Sequence, residues 1–411
     1  MTNFIKFLFV LVVCVFSINA NIKFEINRDI ALFSQVYFEK DISEELYNEL
    51  KSIFITSSEN QEAEKQEFIE CLINKKTESK YITGRFINLW DDALLKYDRV
   101  FDNNLDILND RKEELIAYYN QNLSKIIDFD KIFDFYQTSL TNKTPFLVYI
   151  YPTNQNGIYA ERFGNNLFLR FNYGNKTNNF CLIYRKICNR LFETISPENK
   201  SSMEKYFMNH HSKYARPAYF LLNEVLAYTI GEVWIHSILL DKSDSPRQKH
   251  QDENINKISI ALFPIVQKYL KSSTPLDNNF YNEYIKLIEL QYPKSNLNYD
   301  IMLSKISLIV ENGIDLENCI NELKFNFPID QLKFKPSVFS TIFIGNNLGD
   351  PALASLQSKI PNKKNEFLFV TNDSKGKLFI IIKSNDNDHI NHAIRLIKKQ
   401  KEIKLGYIKD L

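Results

Sequence analysis

The chain has 411 residues, 44% of them hydrophobic and 14% aromatic, enough for a substantial core and for two or three domains. Its 51 basic side chains against 50 acidic ones give a formal charge of +1, so neither nucleic acid nor an anionic membrane is expected as a partner. Five cysteines in so long a chain do not make a disulfide framework, and the short runs Lys363-Lys364 and Lys398-Lys399-Gln400-Lys401 read as solvated faces.

Residues 1–20 have the form of a cleavable signal peptide. Lys6 supplies the positive start, residues 7–16 are an unbroken apolar run, and Ala20 is a small residue at the expected cleavage point. Ten apolar residues are too few to span a bilayer, and no later segment approaches the ~18 that a transmembrane helix needs. The expectation is a secreted or periplasmic protein beginning near Asn21, with no integral membrane segment. Removing one lysine and no acid brings its formal charge to 0. Val13 stands where a small residue would precede a lipidated Cys14, which argues against an anchor there. Asn122, Asn142, Asn175, Asn199 and Asn372 begin Asn-x-Ser/Thr triplets, which arise readily in an Asn- and Lys-rich chain; the composition fits bacterial export.

After the signal, Ile22, Phe24 and Ile26 alternate as a strand, and Ile30, Phe33, Val36 and Tyr37 recur at helical spacing. Helical patterns dominate a region over 21–140. Strands are expected over 145–151 and, after the Gly164-Asn165 turn, around Leu167 and Leu169. A long helix follows over 179–195, with Phe180, Ile183, Ile187, Leu191 and Ile195 on one stripe, and Pro197 closes it. A second helix is expected from Pro217 through Glu224 to about Leu240, with a polar stretch containing His210-His211 between the two. More helix spans 258–288. From 336 the pattern changes to strands over 340–345, 366–371 and 378–382, a turn at Asp373 to Gly376, and a last helix capped by Asp388. Residues 141–335 thus form a core with following helices, and 336–411 a small α/β module.

The ten glycines form no Gly-x-Gly-x-x-Gly, no phosphate loop and no Gly-x-Ser-x-Gly elbow, and the pair Gly345 and Gly349 reads as a turn. The informative segments are Tyr184-Arg185-Lys186-Ile187-Cys188-Asn189 on the first long helix and Asn223-Glu224-Val225-Leu226-Ala227 on the second. A strand, a helix and a second helix bearing a glutamate in this order resemble the gluzincin zinc metallopeptidases, specifically secreted bacterial gluzincin-like families of unknown function. The resemblance covers 145–240. It implies an α+β fold with a mainly helical core and a small mixed sheet. It also implies a His-Glu-x-x-His helix whose two imidazoles bind zinc while its glutamate acts as general base, with a third ligand from the later glutamate.

In this chain Arg185 and Asn189 stand at the histidine positions and Lys186 at the general base; only Glu224 keeps its type. Arginine and lysine stay cationic and an amide is a poor ligand, so neither a metal nor any other cofactor is expected. The implied molecule is a pseudoenzyme: exported, catalytically inactive, with Arg185 and Lys186 facing Glu224 and a net charge of +1 there, suited to binding a peptide or protein partner. Two other readings remain open. One is a hydrolase with a different site, such as a metal on His210 or His211 with Glu224; the other is a helical interaction protein unrelated to peptidases.

Other chemistry-bearing residues read more plainly. His236 follows Glu232 by one turn, as a surface pair or a core histidine; His389 and His392 near Asp386 and Asp388 read as capping. Cys181 and Cys188, on one helix face, read as small buried hydrophobes.

Overall fold

A computed structural model describes residues 22–34, 84–122, 129–140, 145–151, 159–170, 176–239, 250 and 252–411. The signal-peptide expectation, Cys14 and Cys71 lie outside them. The fold is α+β, with mixed sheets and many helices. Among the described residues no helix is long and apolar enough to cross a membrane.

In chain order the elements are β1 (Ile22–Glu25), α1 (Arg28–Ser34), α2 (Gly84–Asn122), α3 (Phe129–Tyr136), β2 (Phe146–Tyr151), β3 (Tyr159–Phe163), β4 (Asn166–Arg170) and α4 (Lys176–Glu193). Then come α5 (Pro197–Asn209), α6 (Ala215–Tyr228), a π-helical segment (Thr229–Trp234), α7 (Ile235–Leu239), α8 (Glu253–Lys271), α9 (Asn278–Gln291) and α10 (Tyr299–Met302). The chain ends with β5 (Lys305–Val310), α11 (Leu316–Asn326), β6 (Gln331–Lys333), β7 (Ser340–Ile344), β8 (Phe367–Asn372), β9 (Leu378–Lys383), α12 (Asn387–Lys399) and β10 (Tyr407–Asp410). Two compact units result. The first comprises residues 1–196, 226–251 and 263–275, and the second comprises 197–225, 252–262 and 276–411.

The first unit holds a four-stranded sheet in the order β1-β2-β4-β3. Strands β1, β2 and β4 are parallel, and β3 pairs antiparallel with β4 at the edge. The alternation of β1, with Ile22 and Phe24 buried and Lys23 and Glu25 exposed, marks one covered face. Central β2 and β4 are buried along most of their length, as strands flanked on both sides are. Aromatic rings fill the core: Phe33 packs against Phe163 and Phe168, and Tyr119 stacks on Phe180 at 5.8 Å.

The second unit holds a six-stranded sheet, order β10-β8-β9-β7-β5-β6, in which β6, β5, β7 and β9 are parallel, β8 pairs antiparallel with β9, and β10 pairs antiparallel with β8. Every residue of β7 is buried, and so is every residue of β9 but Lys383, which is why these sequences show no alternation. One face holds Phe343, Phe367, Phe369, Phe379 and Ile381 against Leu353 and Leu356. Asp315 and Asp386 cap α11 and α12 by accepting hydrogen bonds from first-turn backbone N–H groups.

Several expectations need correction. The C-terminal sheet reaches back to Lys305 through β5 and β6, well before residue 336, because β5 supplies the parallel partner that buries β7. The cap of α12 is Asp386, with Asp388 already inside the first turn. Helix over 258–288 is broken into α8 and α9, where Asp277 starts a new helix by accepting from Phe280 N at 2.8 Å. Pro197 does not merely end α4: it opens α5, where a first-turn proline loses no hydrogen bond. The helix expected from Pro217 to Leu240 changes to π-helix at Thr229.

Candidate functional site

Helix α4 buries Phe180, Ile183, Tyr184, Ile187, Cys188 and Leu191 completely. That apolar stripe leaves Arg185, Lys186, Asn189 and Arg190 half-buried along the other side. Three of these are the positions singled out by the metallopeptidase resemblance, and each has a distinct environment.

Lys186 reaches the edge strand. Its Nζ donates to Glu161 Oε1 at 3.2 Å, and the same carboxylate accepts from Arg162 N at 3.0 Å and from the Tyr159 hydroxyl at 3.2 Å. Further along, Arg162 pairs with Glu193, Arg190 Nη1 lies 3.5 Å from Glu193, and Arg190 Nε donates to Asn165 Oδ1 at 3.0 Å. The polar side of α4 thus straps down the β3-β4 hairpin.

Arg185 lies 5.4 Å from the centre of the Tyr228 ring, and the His250 ring meets Tyr228 edge-on at 5.4 Å. Its backbone is covered by Gly231. A Cβ placed on Gly231 would be 2.5 Å from Arg185 N and 2.7 Å from its Cα, so only a residue without a side chain permits this approach. Gly231 belongs to the π-helical segment, an element that interrupts helices mostly at sites with a special constraint. Beside it Glu232 is fully buried, and His236, one turn later, is 5% exposed. Burial removes the surface-pair reading of His236 and leaves the core histidine. Asn189 Oδ1 is buried without a hydrogen-bond partner among the described residues.

Glu224 is half-buried on α6, in the part of the chain that belongs to the second unit. The acid that Lys186 meets is Glu161, and the acid adjoining the cover over Arg185 is Glu232. Sequence reasoning missed Glu161 because β3, Tyr159–Phe163, carries three polar or charged residues and no clean alternation. It missed the importance of Gly231 because a lone glycine in a helical pattern looks like a mild defect; its meaning lies in the neighbour it admits.

These residues do not fit a zinc ion. Two cations and an amide supply no imidazole or thiolate, and among the described residues no group of three His, Cys, Asp or Glu side chains could hold a metal. Cys188 offers no nucleophile: it is fully buried, and burial pushes its thiol up to about 12. His210 stacks on His211 at 4.5 Å and accepts from Ser212 N, and burial lowers its pKa. His389 pairs with Glu366; that hydrogen bond raises the imidazole pKa and lowers that of the carboxylate.

Comparison with family models, with curated proteins and with solved structures finds no match in any of the three.

Proposed function

We propose that this is an exported, catalytically silent relative of the gluzincin metallopeptidases that holds a peptide or a segment of a partner protein without cleaving it. The observation that carries the reading is the order of parts in the first unit: an antiparallel edge strand, β3, then β4, then α4, with a later helical segment bearing a buried acid packed on α4 at Gly231. The order of elements supports the reading; the acid on the packed segment is Glu232, not the Glu224 that the resemblance implies. Silence follows from the side chains. Arg185 and Lys186 cannot ligate zinc or take a proton from water at neutral pH, and Lys186 is engaged in fixing the edge strand through Glu161.

Binding is supported by the edge itself. Among the described residues β3 ends the sheet, so an extended peptide can add beside it through main-chain hydrogen bonds, with the Glu161-Lys186 and Arg162-Glu193 pairs holding the strand rigid. The test combines turnover with binding. A fluorogenic peptide pool should yield no product. Peptides retained by the protein should lose binding when alternate backbone nitrogens are methylated. Chelator-sensitive cleavage would refute the silent reading, and binding indifferent to N-methylation would refute the edge-strand mode. Export is checked separately: N-terminal sequencing of exported material should begin near Asn21, and finding Met1 would refute processing.

A further inference from the structure

The second unit contains a cavity of about 100 Å³ whose wall is unusually cationic. Arg216, Lys213 and Lys375 line it, and Lys377 adjoins it next to Gly376 and Leu378. Among the described residues the lining itself holds three cations, Arg216, Lys213 and Lys375, and no carboxylate; the nearby acid that acts on Arg216 and on Lys377 is Asp373. That carboxylate is already engaged in its own turn, where it accepts from Lys375 N at 2.8 Å and Lys377 N at 2.9 Å.

Arg216 is the decisive residue. It is 8% exposed, yet its acceptors are the Lys375 carbonyl at 3.2 Å, the Val338 carbonyl at 2.8 Å and the Met208 sulfur at 3.0 Å, all neutral. Desolvation accordingly lowers its pKa. A buried guanidinium is normally matched by a carboxylate or phosphate, and a thioether is a weak acceptor. The floor is apolar, formed by Met302, Leu378 and Ile403. Asn296 also lines the cavity, and its Oδ1 is buried with no hydrogen-bond partner among the described residues. The wall therefore offers a site for an anion, an apolar surface for a short side chain, and an acceptor for one N–H.

We infer that this cavity binds the C-terminal residue of a peptide, with its carboxylate on Arg216, a small aliphatic side chain on Met302, Leu378 and Ile403, and its amide N–H toward Asn296. Size sets the preference. An enclosed apolar cavity of about 150 Å³ accepts benzene, so a cavity of about 100 Å³ favours alanine or valine over an aromatic ring. The cavity belongs to the second unit and the β3 edge to the first, so the two are tested independently.

Calorimetric titration of the whole protein tests it with three probes: an acetylated tripeptide ending in valine, its C-terminal amide, and its phenylalanine-ending counterpart. N-acetylvaline serves as a fourth probe that carries the same chemistry without a peptide. The acid should bind at least ~10-fold more tightly than the amide, because the charge-assisted bond to Arg216 is lost, and similarly more tightly than the phenylalanine peptide. Arg216→Gln should erase the acid preference. In case that variant fails to fold, Lys213→Gln changes an exposed residue and should weaken the acid by roughly 2–5-fold, relieved by added salt. N-acetylvaline binding as tightly as the tripeptide would place the specificity in the terminal residue alone and support the assignment. Equal binding of acid and amide, tighter binding of the phenylalanine peptide, a folded Arg216→Gln variant with the preference intact, or no binding of any probe would each overturn it.

Discussion

Gly231→Ala is the sharpest test of how the first unit is held together. The added methyl would sit 2.5 Å from Arg185 N and 2.7 Å from its Cα, where nonbonded carbon and nitrogen need about 3.4 Å or more, so α4 and the π-helical segment must separate by roughly 0.9 Å. Backbone atoms cannot swing aside as a flexible side chain would. A gap of that size forfeits about a quarter to a half of the dispersion energy of every pair across the seam, and overpacking of this kind costs about 1–3 kcal/mol. Because the clashing atoms are backbone, the cost falls in the upper part of that range, about 2–3 kcal/mol, and alanine recovers up to ~1 kcal/mol of helix propensity, leaving a net loss of about 1–2 kcal/mol. The assay is built in: the chain's two tryptophans, Trp90 and Trp234, are 4% and 5% exposed, and both lie in the first unit. Tryptophan fluorescence in urea therefore reports that unit alone, and its midpoint should fall. A midpoint unchanged or raised would show that Gly231 is a tolerated defect and that the close approach does not matter.

Removing the strap should matter less. In the Lys186-Glu161 pair both side chains are partly exposed, at 24% and 35%, so Lys186→Met should shift the same tryptophan transition by at most ~1 kcal/mol while weakening peptide binding at β3; a larger loss would mean the pair is more dehydrated than it looks. The triple variant Arg185→His, Lys186→Glu and Asn189→His places two imidazoles one turn apart and, on the proposed ancestry, should bind zinc by elemental analysis. Glu232→Gln in that background should abolish the zinc if Glu232 is the third ligand, Glu224→Gln if Glu224 is, and a folded triple variant without zinc would count against peptidase ancestry. In the second unit, burial lowers Lys377 to about 8 from its ordinary 10.5. Between those values the unfolded chain binds more protons than the folded one, so stability should rise with pH from about 8 toward 10, and Lys377→Met should flatten that rise in circular dichroism melts. A wild-type profile that falls over this window would refute the burial of its charge.

The sequence by itself determined what depends on neighbours along the chain. Continuous apolar runs marked β2, β7 and β9, the 3.6-residue stripe from Phe180 to Leu191 marked α4, and positions 185, 186 and 189 carried no imidazole or carboxylate. These signals are local because helix and strand periods are written in adjacent residues. Tertiary structure decided the rest. Strand β3 exists because it pairs with β4, β6 because it pairs with β5, and neither sequence alternates clearly enough to announce itself. Helix continuity failed at Thr229, where the segment meets α4 so closely that glycine is required at 231, a demand set by a residue 46 positions earlier. Charge pairing followed the same rule: Lys186 met Glu161 across the hairpin, and Arg216, unremarkable in the sequence, became the buried cation of a cavity built from segments more than a hundred residues apart. Periodicity records which face of an element is buried, whereas the partner that buries it is chosen by the packing of the whole unit.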